Sequence, residues 1–170
     1  MNAPTAPCIL GIDPGSRITG YAALVHRGRQ FSVVESGVIV VHAEENLSER
    51  LALLSVRMDE ILERVRPEAV AVEDVFFAKN VRSALLLGHA RGVVLAAAGR
   101  RGLPVHAYPP ATVKQAVAGH GRADKGQVQR MVQVLLSLAE LPRTDEADAI
   151  AVAICHGLCH RQRSMVAAGR

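Results

Sequence analysis

Hydrophobic positions along the chain fall into short continuous runs, alternating runs and runs with helical spacing. Cys8 to Ile12 is continuously apolar and stops at Asp13-Pro14-Gly15, the pattern of a central strand buried on both faces and closed by a turn. Ile18 to Val25 and Phe31 to Val41 are rich in β-branched residues and flank Arg27-Gly28-Arg29, which predicts a hairpin. Leu51, Leu54, Met58, Ile61 and Val65 recur at steps of three and four, the spacing of an amphipathic helix, with Asn46 and Glu49 set as a capping box and Pro67 as the stop. Ala69 to Val72 is a second short buried run. Because a helical crossover precedes it, this strand is predicted to lie parallel to a neighbour.

From Asn80 to Gly99 the polar face disappears, and only His89 and Arg91 interrupt the stretch from Ala84 to Ala98. A helix of that kind must be covered on most sides. Further on, Val105 to Tyr108 reads as a fifth strand, and Ala111 to Ala118, Lys125 to Leu138 and Asp145 to His160 as three helices. Three consecutive strands followed by alternating helix and strand give an α/β fold. The sheet is mixed and five-stranded, its first three strands antiparallel and the rest joined by parallel crossovers, with flanking helices: the architecture of ribonuclease-H-like domains. No internal repeat, linker or low-complexity segment is visible.

Composition narrows this only slightly. A chain of 170 residues, 49% hydrophobic and 21% charged, is long enough to bury one core. The expected organisation is a flexible extension over 1–7, one nuclease-sized domain over 8–160, and a basic, disordered tail over 161–170. A net charge of +4 and a pI near 9.3 suit a polyanionic partner without demanding one. No leader-like start and no long uncharged apolar run are seen, so the expectation is a cytoplasmic protein with no membrane partner. Cys8, Cys155 and Cys159 are an odd set without paired spacing, which predicts free thiols in a reducing compartment. Cys155-His156-Gly157-Leu158-Cys159-His160 has one residue too many between its cysteines for haem attachment, and reads as small apolar thiols on a helix face.

The candidate chemistry lies in the carboxylates. Asp13 ends the first strand and Glu73 the fourth, and in open sheets with crossovers ligand sites form beyond the carboxyl ends of strands. Asp145 and Asp148 are three apart at the start of the last helix and share one face of it. Taken singly, each has an ordinary reading: a turn residue, a solvated strand end, a partner for the helix dipole. Glu73 is the hardest to read that way, because it follows four apolar residues, while Asp74 beside it is predicted to point to the other side of the strand. Gathered carboxylates raise one another's pKa unless a cation neutralises them, and hard oxygen donors select Mg²⁺ or Mn²⁺. Two such ions about 3.5–4 Å apart can activate water and stabilise the leaving oxygen of a phosphodiester.

Three segments then carry a specific resemblance: Gly11 to Tyr21 (GIDPGSRITGY), Glu73 to Asn80 (EDVFFAKN) and Asp145 to Ala149 (DEADA). In this order and spacing they resemble the signature segments of the RuvC-type Holliday junction resolvases, over nearly the whole chain. The resemblance implies a ribonuclease-H-like homodimer that resolves four-way junction DNA by symmetric nicks. It implies two Mg²⁺ or Mn²⁺ ions held by Asp13, Glu73, Asp145 and Asp148, and cooperation with a branch-migration motor complex of the RuvA and RuvB type. It also implies DNA contacts by Lys114 and Lys125, two of only three lysines in the chain, and singles out Phe76 as a ring that stacks on an unpaired base. This sequence departs in its residues before the first strand and in Asp74, where many relatives carry an amide.

Other readings compete. Gly11 to Gly15 with Gly20 also resembles the phosphate-binding hairpin of the actin and sugar-kinase ATPases, which need two such domains to enclose ATP. A ribonuclease-H-like RNA-processing nuclease and a non-catalytic junction binder would share the fold.

Overall fold

A computed structural model describes residues 7–27, 30–41, 46–74 and 81–168, with side chains described as far as residue 160. Among these residues five strands and five helices alternate in the predicted order: β1 (Cys8–Asp13), β2 (Ile18–Arg27), β3 (Gln30–Val40), α1 (Leu47–Val65), β4 (Ala69–Glu73), α2 (Val81–Arg100), β5 (Val105–Tyr108), α3 (Pro110–Ala118), α4 (Lys125–Leu136) and α5 (Thr144–Ala168). The strands form one sheet in the order β3-β2-β1-β4-β5. β1 to β3 are antiparallel, and β4 and β5 lie parallel to β1 and to each other.

Local sequence accounts for most boundaries. The Asn46 and Glu49 capping box opens α1, and Arg66, with φ 48°, closes it in the left-handed conformation just before Pro67. An equivalent box between Asp124 and Gln127 opens α4. That helix stops at Leu136, two residues short of expectation, because Ser137 turns left-handed at φ 51° and its N–H returns to Val134 and Gln133. Pro110 starts α3, where its missing N–H costs nothing.

Alternation along the strands divides the core into two layers. Leu10, Ile12, Val70 and Val72 pack with α1 and α2 on one face. Ile9, Ala22, Leu24 and Ala71 pack with α3, α4 and α5 on the other. α5 runs across β1 and β2 in unusually close contact. A Cβ placed on Gly11 would lie 2.3 Å from the Ala149 carbonyl oxygen and 2.7 Å from the Ala153 nitrogen, and one on Gly20 would lie 1.9 Å from the Asp145 carbonyl oxygen. These two glycines let a helix backbone rest on a strand backbone. α5 also continues to Ala168, beyond the His160 end expected for the last helix. Nothing from Arg161 to Ala168 breaks a helix, and the first glycine comes at Gly169. The cysteines are free thiols; burial raises the Cys155 thiol to about 12.

Candidate active site

Register and alternation place the first two acids. Ile12 lies opposite Val72 in the parallel pair β1 and β4, so Asp13 and Glu73, one residue further along each strand, leave the sheet side by side. They share the parity of Ile9 and Ala71 and therefore face α5. The first turn of α5 supplies Asp145 and Asp148. That turn is fixed by the close approach of Gly20 to Asp145 and by Glu146, whose Oε1 accepts a hydrogen bond from Ser36 Oγ on β3 at 2.6 Å. All four acids line one cleft of about 660 Å³, which Lys114 and Lys125 also line.

The cleft is electrostatically loaded. Burial, with Asp148 and Asp145 nearby, raises Asp13 to about 6. Burial and the charges of Asp13 and Asp148 raise Glu73 to about 8. A side-chain hydrogen bond between the two favours the proton on Glu73 and the charge on Asp13. Burial also raises Asp148, against the opposing pull of Lys125, whose Nζ is 3.2 Å from Asp148 Oδ2. Burial would lower the Lys125 ammonium, but Asp148, Asp13 and Asp145 together raise it. Among the described residues no three His, Cys, Asp or Glu side chains are already drawn together tightly enough to enclose one ion. Lys125, beside Asp148, offsets part of the gathered charge. Clustered hard oxygen donors, with negative charge so incompletely offset, fit a divalent cation of the Mg²⁺ class.

Six of the seven residues singled out from the sequence, all but Phe76, thus line one cleft. Phe76 lies outside the described residues. Asp74, the next residue, is also among those lining the cleft, but its carboxylate turns, as strand alternation predicts, away from Glu73 and toward α2. Sequence reasoning missed its partner, Arg91 on α2, whose guanidinium stands 3.4 Å from Asp74 Oδ1. The available signal was a cation in the middle of an otherwise apolar helix. Leu87, one turn before Arg91, and Pro109 to Ala111 complete the wall.

The family described as "Crossover junction endodeoxyribonuclease RuvC" matches residues 9–156. The crossover junction endodeoxyribonuclease RuvC of Moorella thermoacetica is 52% identical over 165 residues, covering 95% of this chain and 99% of that protein. Among solved structures, T. thermophilus RuvC in complex with Holliday junction substrate is 40% identical with a TM-score of 0.87, covering 92% of this chain and 96% of that one. The yeast mitochondrial Holliday junction resolvase Ydc2 shares the fold at 17% identity and a TM-score of 0.63, over 90% of this chain and 79% of its own.

Proposed function

This chain belongs to the crossover junction endodeoxyribonuclease RuvC family, and on that footing we propose how its own residues cut a four-way junction. It is a metal-dependent endodeoxyribonuclease that resolves Holliday junctions in recombination and DNA repair. The observation that carries the residue assignment is the single cleft in which Asp13, Glu73, Asp145 and Asp148 face Lys114 and Lys125. The glycines that suggested a phosphate-binding hairpin have another use in this fold: Gly11 and Gly20 seat α5. No ATP site is needed to explain them.

Asp13, Glu73, Asp145 and Asp148 are the proposed ion holders. Mg²⁺ or Mn²⁺, taken as two ions per site, would supply an activated water and charge stabilisation for the scissile phosphate. A divalent cation bound there would favour the charged forms of Glu73 and Asp13 and displace the proton they share. Asp13, already the hydrogen-bond partner of Glu73, is placed to share the same ligand position. Lys125 is paired with Asp148, and a strand phosphate entering the cleft would compete for that ammonium. Lys114, on α3 and lining the same cleft, supplies a second cation, so the backbone is held despite the acids. Phe76 is proposed to stack on a base at the crossover.

Two active sites must face strands of like polarity to make paired symmetric nicks, so the working unit is proposed to be a twofold homodimer. Its interface is assigned to the outer face of α2, where Val81 and Leu85 are 77% and 59% exposed and a Cβ on Gly88 or Gly92 would meet nothing within 4 Å. A branch-migration motor complex of the RuvA and RuvB type is the proposed partner, and the cytoplasm the proposed location.

Asp13→Asn tests the mechanism, because it keeps the shape of the side chain and removes one charge. With Mg²⁺ and labelled junction, duplex, single strand and RNA hairpin, the unaltered protein should cut the junction alone. The variant should bind junction with unchanged salt dependence, since no cation is lost, and cleave it at least about a thousandfold more slowly. Cleavage by the variant at near the original rate in low Mg²⁺ would show the carboxylate mechanism to be wrong.

A further inference from the structure

We propose that Arg50, in the first turn of α1, binds a backbone phosphate of the DNA strand on the far side of the cleft from Lys114 and Lys125. The inference rests on the reading of the cleft given above and adds a cation to the path of the strand.

Topology brings Arg50 to the end of the molecule that holds the acids. Asp13 pairs with Gly20, and Ile18, two residues earlier on β2, pairs with Val40 at the close of β3. β3 therefore finishes beside the turn between β1 and β2, where the Val41 N–H donates to the Arg17 carbonyl oxygen at 2.9 Å, and α1 sets out from that end. Arg50 lines a hollow with Gly15, Ser16 and Leu86. Gly15 and the adjacent Leu87 also line the cleft of the four acids, so the turn through Gly15 forms a wall common to both. The hollow, about 10 Å³, is too small to enclose a ligand. An anion would meet Arg50, itself partly exposed, at the rim.

Nothing in α1 calls for a cation at this position. A positive charge in the first turn opposes the helix dipole, and the adjacent Glu49 is taken up by the cap, its carboxylate accepting the Asn46 N–H at 3.1 Å. The Arg50 Nε is buried with no hydrogen-bond partner, and no carboxylate pairs with the side chain among the described residues. A guanidinium drawn out of water without an acceptor is costly. A phosphate oxygen supplies the missing acceptor through a charge-assisted hydrogen bond. Lys114 and Lys125 stand on α3 and α4, which cover the same face of the sheet as α5, whereas α1 covers the other face. A strand lying over the acids is thereby gripped on both sides of the bond to be cut, which fixes the scissile phosphate in place.

The experiment measures binding of the full chain to a labelled four-way junction in EDTA, where no cutting is read, over a series of salt concentrations, with a melting curve for each variant. Arg50→Gln should make the plot of log affinity against log salt shallower by about one for each protomer bound, and weaken binding at about 0.1 M salt at least about fivefold. Arg50→Met, which keeps the apolar stem for packing, is a second neutral variant and should do the same. Arg50→Lys keeps a cation and should restore most of the slope. Arg57→Gln removes an equal charge further along α1, where Arg57 pairs with Glu60, and should leave the slope unchanged. An unchanged slope in the neutral Arg50 variants overturns the inference, whether or not affinity falls together with stability, because a residue that only supports the fold releases no counter-ions. An equal change in Arg57→Gln overturns it too, since net charge alone would then be at work. These readouts do not depend on how the acids hold ions. A parent protein that binds the junction with a slope to which Arg50 contributes nothing sinks this inference alone, whereas one that does not bind junctions sinks the reading of the cleft as well.

Discussion

α2 and α5 look alike in the sequence and end differently in the fold. Both are long, and neither has a continuous polar face. In α5 every residue from Ala149 to Gly157 is buried, between the sheet on one side and α3 and α4 on the other. In α2 only Ala90, Val94, Ala97 and Ala98 are buried, and among the described residues it is the one helix long and apolar enough to cross a membrane by length and composition. An apolar helix must be covered, but its pattern does not say by what. α5 finds its cover within the chain because Gly11 and Gly20 admit it to the sheet. α2 has one face on the sheet and leaves the other exposed, the face proposed above as the dimer interface.

This contrast is testable, beginning with the larger effect on folding. Gly11→Val would drive a side chain into the α5 backbone, where a single Cβ already meets the Ala149 oxygen at 2.3 Å. Overpacking of this kind costs about 1–3 kcal/mol or more, so the melting temperature should fall by about 2–12 °C. A variant melting with the parent protein would show that α5 is not seated as described.

The second effect concerns the charges gathered where α5 meets the sheet. Asp13 and Glu73 titrate near 6 and 8 in the fold, above their ordinary carboxylate values, so the folded state holds more protons than the unfolded chain across the interval between. Stability therefore falls as pH rises from about 4 to about 8 in chelator. Divalent cation should flatten that slope, and Asp13→Asn should reduce it. Melting curves at several pH values with EDTA or Mg²⁺ check both, and a stability that rises through this interval in EDTA would contradict the coupled burial of the two acids.

The smallest effect on folding is expected on the outer face of α2. Leu85→Glu adds charge to an exposed position and should change monomer stability by less than about 0.5 kcal/mol. The dimer, however, should dissociate at micromolar concentration, as read by sedimentation, with coordinated nicking lost. Persistence of the dimer would place the interface elsewhere.

Most of the fold was legible because its signals are local. The capping box at Asn46, the Pro67 stop and the apolar runs of β1 and β4 each need only a few residues to be read. Asp13, Glu73, Asp145 and Asp148 were legible for a related reason: strand ends and one helical turn bring acids together by simple periodicity, and the family resemblance joined the segments. What was not legible depends on contacts distant in sequence. Gly11 and Gly20 resemble a phosphate loop until α5 is seen lying on them. Arg91 has meaning only once α2 is seen beside the end of β4, where its guanidinium meets Asp74. The last helix was expected to end at His160 and runs on to Ala168, a stretch in which no residue opposes a helix.

The parallel pairing of β1 with β4, and the distance of α5 from both along the chain, has a consequence for the cell during biosynthesis. A growing chain displays Asp13 first, Glu73 only after the long crossover through β2, β3 and α1, and Asp145 and Asp148 only with α5. Translation proceeds at about 5–20 residues per second, so each copy spends several seconds as a nascent fragment that holds some of the acids without the rest. On the proposed mechanism such a fragment, or a chain truncated before α5, lacks two of the four ion holders, and cutting has to wait until α5 has been made and seated.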